Sequence, residues 1–123
     1  PCMKDKVILR LIENVAVKGN DGKETTVVAR IDTGATSSSI DDSLAKKLQL
    51  GPVLRSKIIK SASGILKRPA IKVTVILKDI NIEEEFTLAD RSHMTYKMLI
   101  GQNVLNKGNF LIDPSKETER RDK

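Results

Sequence analysis

The side chains that could carry chemistry are concentrated in one short run, Asp32-Thr33-Gly34-Ala35. It follows the apolar segment Val27-Val28-Ala29-Arg30-Ile31, so the carboxylate is presented where a buried strand ends and can act as a general acid or base. Thr33 adds a hydroxyl, and Gly34 has no Cβ and so permits close backbone approach. Taken alone, the triplet is also ordinary turn chemistry, and its context gives it weight. Ser37, Ser38 and Ser39 offer hydroxyl nucleophiles, but the single histidine is His93 and no strand-turn elbow surrounds the serines. Cys2 and His93 cannot supply a four-ligand zinc site, so the sequence predicts neither a metal nor a cofactor.

The elements that must position this loop are mostly strands. Lys6 to Glu13 is rich in Val, Ile and Leu and predicts a first strand, Lys18 to Gly22 a turn, and Thr25 to Ile31 a second strand ending at Asp32. From Asp41 a short helix is expected, capped by Asp41 or Asp42, with Leu44 and Leu48 on one face and Gly51-Pro52 as its stop. Val53 to Ser61 and Ile65 to Leu77 predict a long hairpin with the small-residue tip Ser61-Ala62-Ser63-Gly64. On its second arm Ile71, Val73, Val75 and Leu77 alternate along one face. A turn at Lys78 to Asn81, strands at Ile82 to Ala89 and Tyr96 to Ile100, a brief helix at Asn103 to Asn106 and a last strand at Asn109 to Asp113 complete the pattern. Residues 6–114 are expected to form one domain. Residues 1–5 are expected to be a disordered or expression-derived start, and 115–123 a disordered polar tail without apolar residues to bury.

Two segments resemble one family. Ala29-Arg30-Ile31-Asp32-Thr33-Gly34-Ala35 is similar to the catalytic loop of retropepsin-like aspartic proteases. Met98-Leu99-Ile100-Gly101-Gln102-Asn103-Val104-Leu105 is similar to their second signature. Both occur in the right order with a hairpin between them. Lys60 to Gly64, Arg68-Pro69, Leu88 to Tyr96 and Phe110 to Pro114 further resemble the cellular bacterial and archaeal group labelled ATP-dependent zinc proteases.

The resemblance implies a mainly β fold, a closed acid-protease barrel with one or two short helices and a flap hairpin. It implies a homodimer in which two Asp32 side chains activate a water and hydrolyse a peptide or protein substrate. Thr33 would brace the two loops, Gly34 and Ala35 would support them, and Ser61, Ala62, Ser63 and Gly64 would form the flap over the substrate. Leu99, Ile100, Gly101, Gln102 and Asn103 would form the second signature, with Gly101 letting a strand pass behind the catalytic loop. Retroviral members carry Asp two positions after the catalytic Gly and Arg after the second-signature Gly. Here these are Thr36 and Gln102, which predicts a neutral contact in place of an ion pair. The alternative function is a catalytically weak or inactive peptide-binding or regulatory module of the same fold.

Composition narrows the remaining classes. At 123 residues with 2% aromatics and no Trp, the core must be built from Ile, Leu and Val, which favours sheet. The net charge of +6 is compatible with a nucleic-acid partner, but the basic residues are scattered and stacking aromatics are nearly lacking, which argues against one. A single cysteine points to a reducing, cytoplasmic interior. No apolar run approaches the ~20 residues of a membrane span, so no membrane partner is expected.

Overall fold

The computed structural model describes residues 6–62 and 64–115. Its chain runs β1 (Ile8–Leu9), β2 (Ile12–Lys18), β3 (Glu24–Ile31), β4 (Ser38–Asp41), α1 (Asp42–Lys47), β5 (Val53–Ser61), β6 (Gly64–Leu77), β7 (Ile80–Ala89), β8 (Met98–Ile100), α2 (Gln102–Gly108) and β9 (Leu111–Ile112). Strands pair in the order β2-β3-β8-β4-β7-β6, and β6 returns to β2, closing a six-stranded barrel to which β5 adds as an outer strand. The protein is therefore mainly β, a closed barrel with two short helices, as the resemblance implies.

Period-two patterning explains the closure. Ile71, Val73, Val75 and Leu77 of β6 are buried, as are Val15 and Val17 of β2 and Val27, Ala29 and Ile31 of β3. They pack with Phe86, Met98, Ile100 and Val104 in one core, which is aliphatic except for Phe86 among its fully buried residues. The β6–β7 turn is two residues long, because Leu77 pairs with Ile80. Lys78 and Asp79 both take positive φ (52° and 68°), as the right-handed twist of a two-residue hairpin requires.

Apart from shifts of element ends, two strands depart from the sequence expectation. The first strand is split. β1 pairs in parallel with β9, and β2 starts only after Arg10 and Leu11. At the break the Arg10 N–H and guanidinium both donate to the buried Glu13 carboxylate, at 2.7 and 2.9 Å to Oε2, which bends the chain out of strand geometry. The second departure is β4, an unexpected strand of four buried residues held parallel to β7 and antiparallel to β8. Helix α1 begins where expected, with the Asp41 carboxylate accepting the Leu44 N–H at 3.2 Å. Helix α2 spans Gln102–Gly108, longer than the Asn103 to Asn106 expected.

The β5–β6 hairpin stands away from the barrel and leaves Ile58, Ile65 and Leu66 exposed. Ser61 pairs with Gly64 across its tip, and Gly64 has φ +132°, a conformation that side chains rarely adopt. Ser63 lies outside the described residues, as do Cys2 and both outer stretches expected to be disordered, apart from Ser115. Among the described residues no helix is long and apolar enough to cross a membrane.

Candidate active site

The loop after β3 is fastened on both sides by β8 and the start of α2. Ile31 pairs with Ile100, and the Asp32 N–H donates to Ile100 O at 2.9 Å. The half-buried Asp32 then turns its chain tightly: its Oδ1 accepts the Gly34 N–H at 2.9 Å and its carbonyl the Ala35 N–H at 3.3 Å. The carboxylate is thus oriented by the backbone of its own triplet. Thr33 and Gly34 are exposed beside it.

The second signature lies directly behind this loop. The Gln102 N–H donates to Ala35 O at 2.7 Å, and the Gln102 side-chain amide donates to Thr33 O, also at 2.7 Å. The expected partner of Gln102 was Thr36, whereas the side chain instead holds the backbone of the triplet. A Cβ on Gly101 would overlap the Ser37 carbonyl and lie 2.8 Å from Ala35 O, so the crossing admits only glycine. Leu99 pairs with Ser39 of β4 and Ile100 is buried in the core.

Asn103 joins the layers. Its Oδ1 accepts the Ser38 hydroxyl at 2.8 Å and the Val104 N–H at 3.0 Å, and its Nδ2 donates to Glu85 O at 2.9 Å. The Ser38 Oγ in turn accepts the Gly101 N–H at 2.9 Å. Ser38 has no surface exposure, and no sequence expectation gave it a role beyond a discarded nucleophile. A serine four residues after the Gly of the triplet and two before the apolar Ile40 is the signal that could have found it.

Beside the loop opens a cleft of about 440 Å³. Gly34, Ala35, Thr36 and Ser37 form one side, and Ile59, Lys60 and Arg68 of the hairpin form another. Thr87, Arg91 and Leu99 also line it, and none of the lining residues is acidic. Lys57 of the hairpin reaches Ser37 Oγ at 2.7 Å and ties β5 to the loop. Burial and the charge of Arg68 pull the Arg91 guanidinium below its ordinary value, and Asp41 partly offsets them. Of the tip residues, Ala62 and Gly64 are exposed at the end of the hairpin arm that supplies Lys60 and Arg68 to the cleft. His93 is exposed in the loop between β7 and β8.

Solved structures share this architecture. A protein of unknown function from Legionella pneumophila subsp. pneumophila str. Philadelphia 1, Lpg0085, is 19% identical with a TM-score of 0.65, over 92% of this chain and 97% of that one. The EIAV protease complexed with the inhibitor HBY-793 is 19% identical with a TM-score of 0.66, over 83% and 90% of the two chains. The simian foamy virus (mac) protease is 17% identical with a TM-score of 0.57, over 77% and 91%. No curated protein matches the chain. A family model does: residues 41–123, which include Gly101, Gln102 and Asn103 and begin after the Asp-Thr-Gly loop, match the RimB-like family, described as retropepsin-like aspartic endopeptidase RimB, and the chain belongs to that family.

Proposed function

We propose that the protein is one subunit of a homodimeric aspartic endopeptidase in which two copies of Asp32 meet and hydrolyse a peptide bond. The observation that carries this is the Asp32 carboxylate, which follows β3 and is fixed by the N–H of Gly34, itself a lining residue of the cleft walled by the hairpin. A chain with one such loop needs a second copy to form a pair.

Two carboxylates a few ångströms apart do not both ionise, so the pair retains one proton. The ionised member takes a proton from a bound water as its oxygen attacks the scissile carbonyl carbon. The protonated member donates to the carbonyl oxygen. In the resulting diol the newly protonated member gives its proton to the amide nitrogen while the other takes one from a diol hydroxyl. The C–N bond then breaks, the amine leaves and the pair is restored. Thr33 braces the paired loops, and the hairpin tip from Ser61 to Gly64 closes over the peptide as a flap.

Lys60, Arg68 and Arg91 line the cleft without a lining carboxylate, which supports a substrate with acidic side chains. The resemblance to the group labelled ATP-dependent zinc proteases supports a bacterial or archaeal cytoplasmic setting. Zinc itself does not fit the described residues, among which no three His, Cys, Asp or Glu side chains gather. A peptide-binding module is the second reading. It draws on Gln102, whose neutral side chain serves the subunit's own Thr33 backbone rather than an ion pair that would support a dimer.

The test is cleavage of a mixed peptide library across pH, with and without EDTA, by wild type and Asp32→Asn. Acidic, EDTA-resistant cleavage that disappears in Asp32→Asn is expected. Cleavage surviving the substitution, or lost with EDTA, rejects the aspartic mechanism, and binding without cleavage by wild type assigns the module.

A further inference from the structure

Arg91 reaches the cleft from the loop between β7 and β8, and that loop is built around two charged side chains. The Lys97 ammonium donates to the carbonyl oxygens of Arg91, Ser92 and Met94 at 3.2, 2.7 and 3.2 Å. An ammonium has three N–H donors, so this set matches its capacity. The buried Asp41 contributes from the other side, its Oδ1 accepting the Arg91 N–H at 2.8 Å while its Oδ2 caps α1. The Arg91 Nε is taken by Tyr96 O at 3.0 Å, which sets the plane of the guanidinium and leaves its terminal nitrogens to bind a ligand.

Such fixing has a chemical consequence. A guanidinium held in one plane loses little freedom when it takes a carboxylate through two parallel N–H bonds. Lys60 and Arg68 bring further positive charge to the same cleft, no lining residue is acidic, and the buried Asp41 offsets the Arg91 charge only in part. An incoming carboxylate would relieve the repulsion among these cations.

We propose that Arg91 is a specificity-determining residue that binds a carboxylate side chain of the substrate, and that Lys97 and Asp41 are positioning residues that hold it in the cleft. The proposal rests on the assignment of this cleft as the peptide site, but not on catalysis.

Binding isolates it. In the full-length Asp32→Asn protein, where cleavage is blocked, fluorescence anisotropy would measure the Kd of a labelled Glu-containing peptide and of its Gln counterpart. The Glu peptide is expected to bind more tightly. Arg91→Gln and Lys97→Met should each weaken it about tenfold while moving the Gln peptide less than about twofold. Lys18→Met removes the same charge at the end of β2 and should change neither. Equal affinity for the two peptides in the parent protein overturns the proposal even if wild type cleaves both, so its failure is separable from failure of the protease reading. Equal weakening of both peptides by Lys97→Met overturns the positioning role, since a merely structural lysine would act that way. Retained preference for Glu in Arg91→Gln overturns the role of Arg91.

Discussion

The Ser38 hydroxyl donates to Asn103 Oδ1 at 2.8 Å across 65 positions of sequence. The Ser38 Oγ also accepts the Gly101 N–H, so the strand after the Asp-Thr-Gly loop and the start of α2 form one hydrogen-bonded unit. With the Gln102 bonds to Ala35 and Thr33, this unit positions the candidate catalytic loop from behind.

Ser38→Ala should therefore destabilise the protein by about 1–3 kcal/mol, because it strands the buried Gly101 N–H without an acceptor. The Val104 N–H keeps its bond to Asn103, so the loss should be confined to the Ser38 junction. A urea unfolding midpoint that does not move would contradict the assignment.

Gly101→Ala should be more damaging. The added methyl meets backbone at Ser37 and Ala35, and backbone cannot swing aside as a flexible side chain can. A loss of about 3 kcal/mol is expected, with cleavage or peptide binding falling as the loop is displaced. Unchanged thermal unfolding would show that β8 can shift to make room.

Much of this fold is legible in sequence, and the exceptions have physical causes. The alternation from Ile71 to Leu77 defines the inner face of β6 because one side chain in two must be buried. Asp41 announces α1 because only a short polar side chain caps a helix start. Ser38-Ser39-Ile40-Asp41 gives no such signal. All four residues are buried, three are polar, and β7 and β8 on either side make the strand. The break at Arg10 depends on an ion pair that spacing alone does not reveal. Lys60, Arg68 and Arg91 lie on separate segments, and only the folded chain brings them to one cleft.

The Arg10–Glu13 corner gives stability a pH dependence. Burial alone would raise the Glu13 carboxyl, but the Arg10 hydrogen bonds and the charges of Lys78 and Arg10 outweigh it and hold the group below its ordinary value of 4.5. A carboxyl lowered by folding stabilises the protein at pH values above its unfolded value, and that contribution is lost as pH falls through the folded one. Urea midpoints should therefore drop as pH falls below the ordinary Glu value of 4.5, and Glu13→Gln should flatten that limb. It should also lower stability near neutrality, because the Gln amide loses the charge-assisted hydrogen bonds from Arg10 and the ion pair with Lys78. Parallel limbs for the two proteins would assign the acid sensitivity to other carboxylates.

The central claim, that the working site is a pair of Asp32 carboxylates from two chains, is tested most directly by subunit mixing. Wild type is equilibrated with increasing Asp32→Asn protein at constant total concentration, and cleavage of one peptide is followed. If each site needs Asp32 from both subunits, activity falls as the square of the wild-type fraction, to about a quarter in an equal mixture. A linear fall, to about half in an equal mixture of exchanging subunits, would show that one chain's Asp32 suffices and would contradict the paired site.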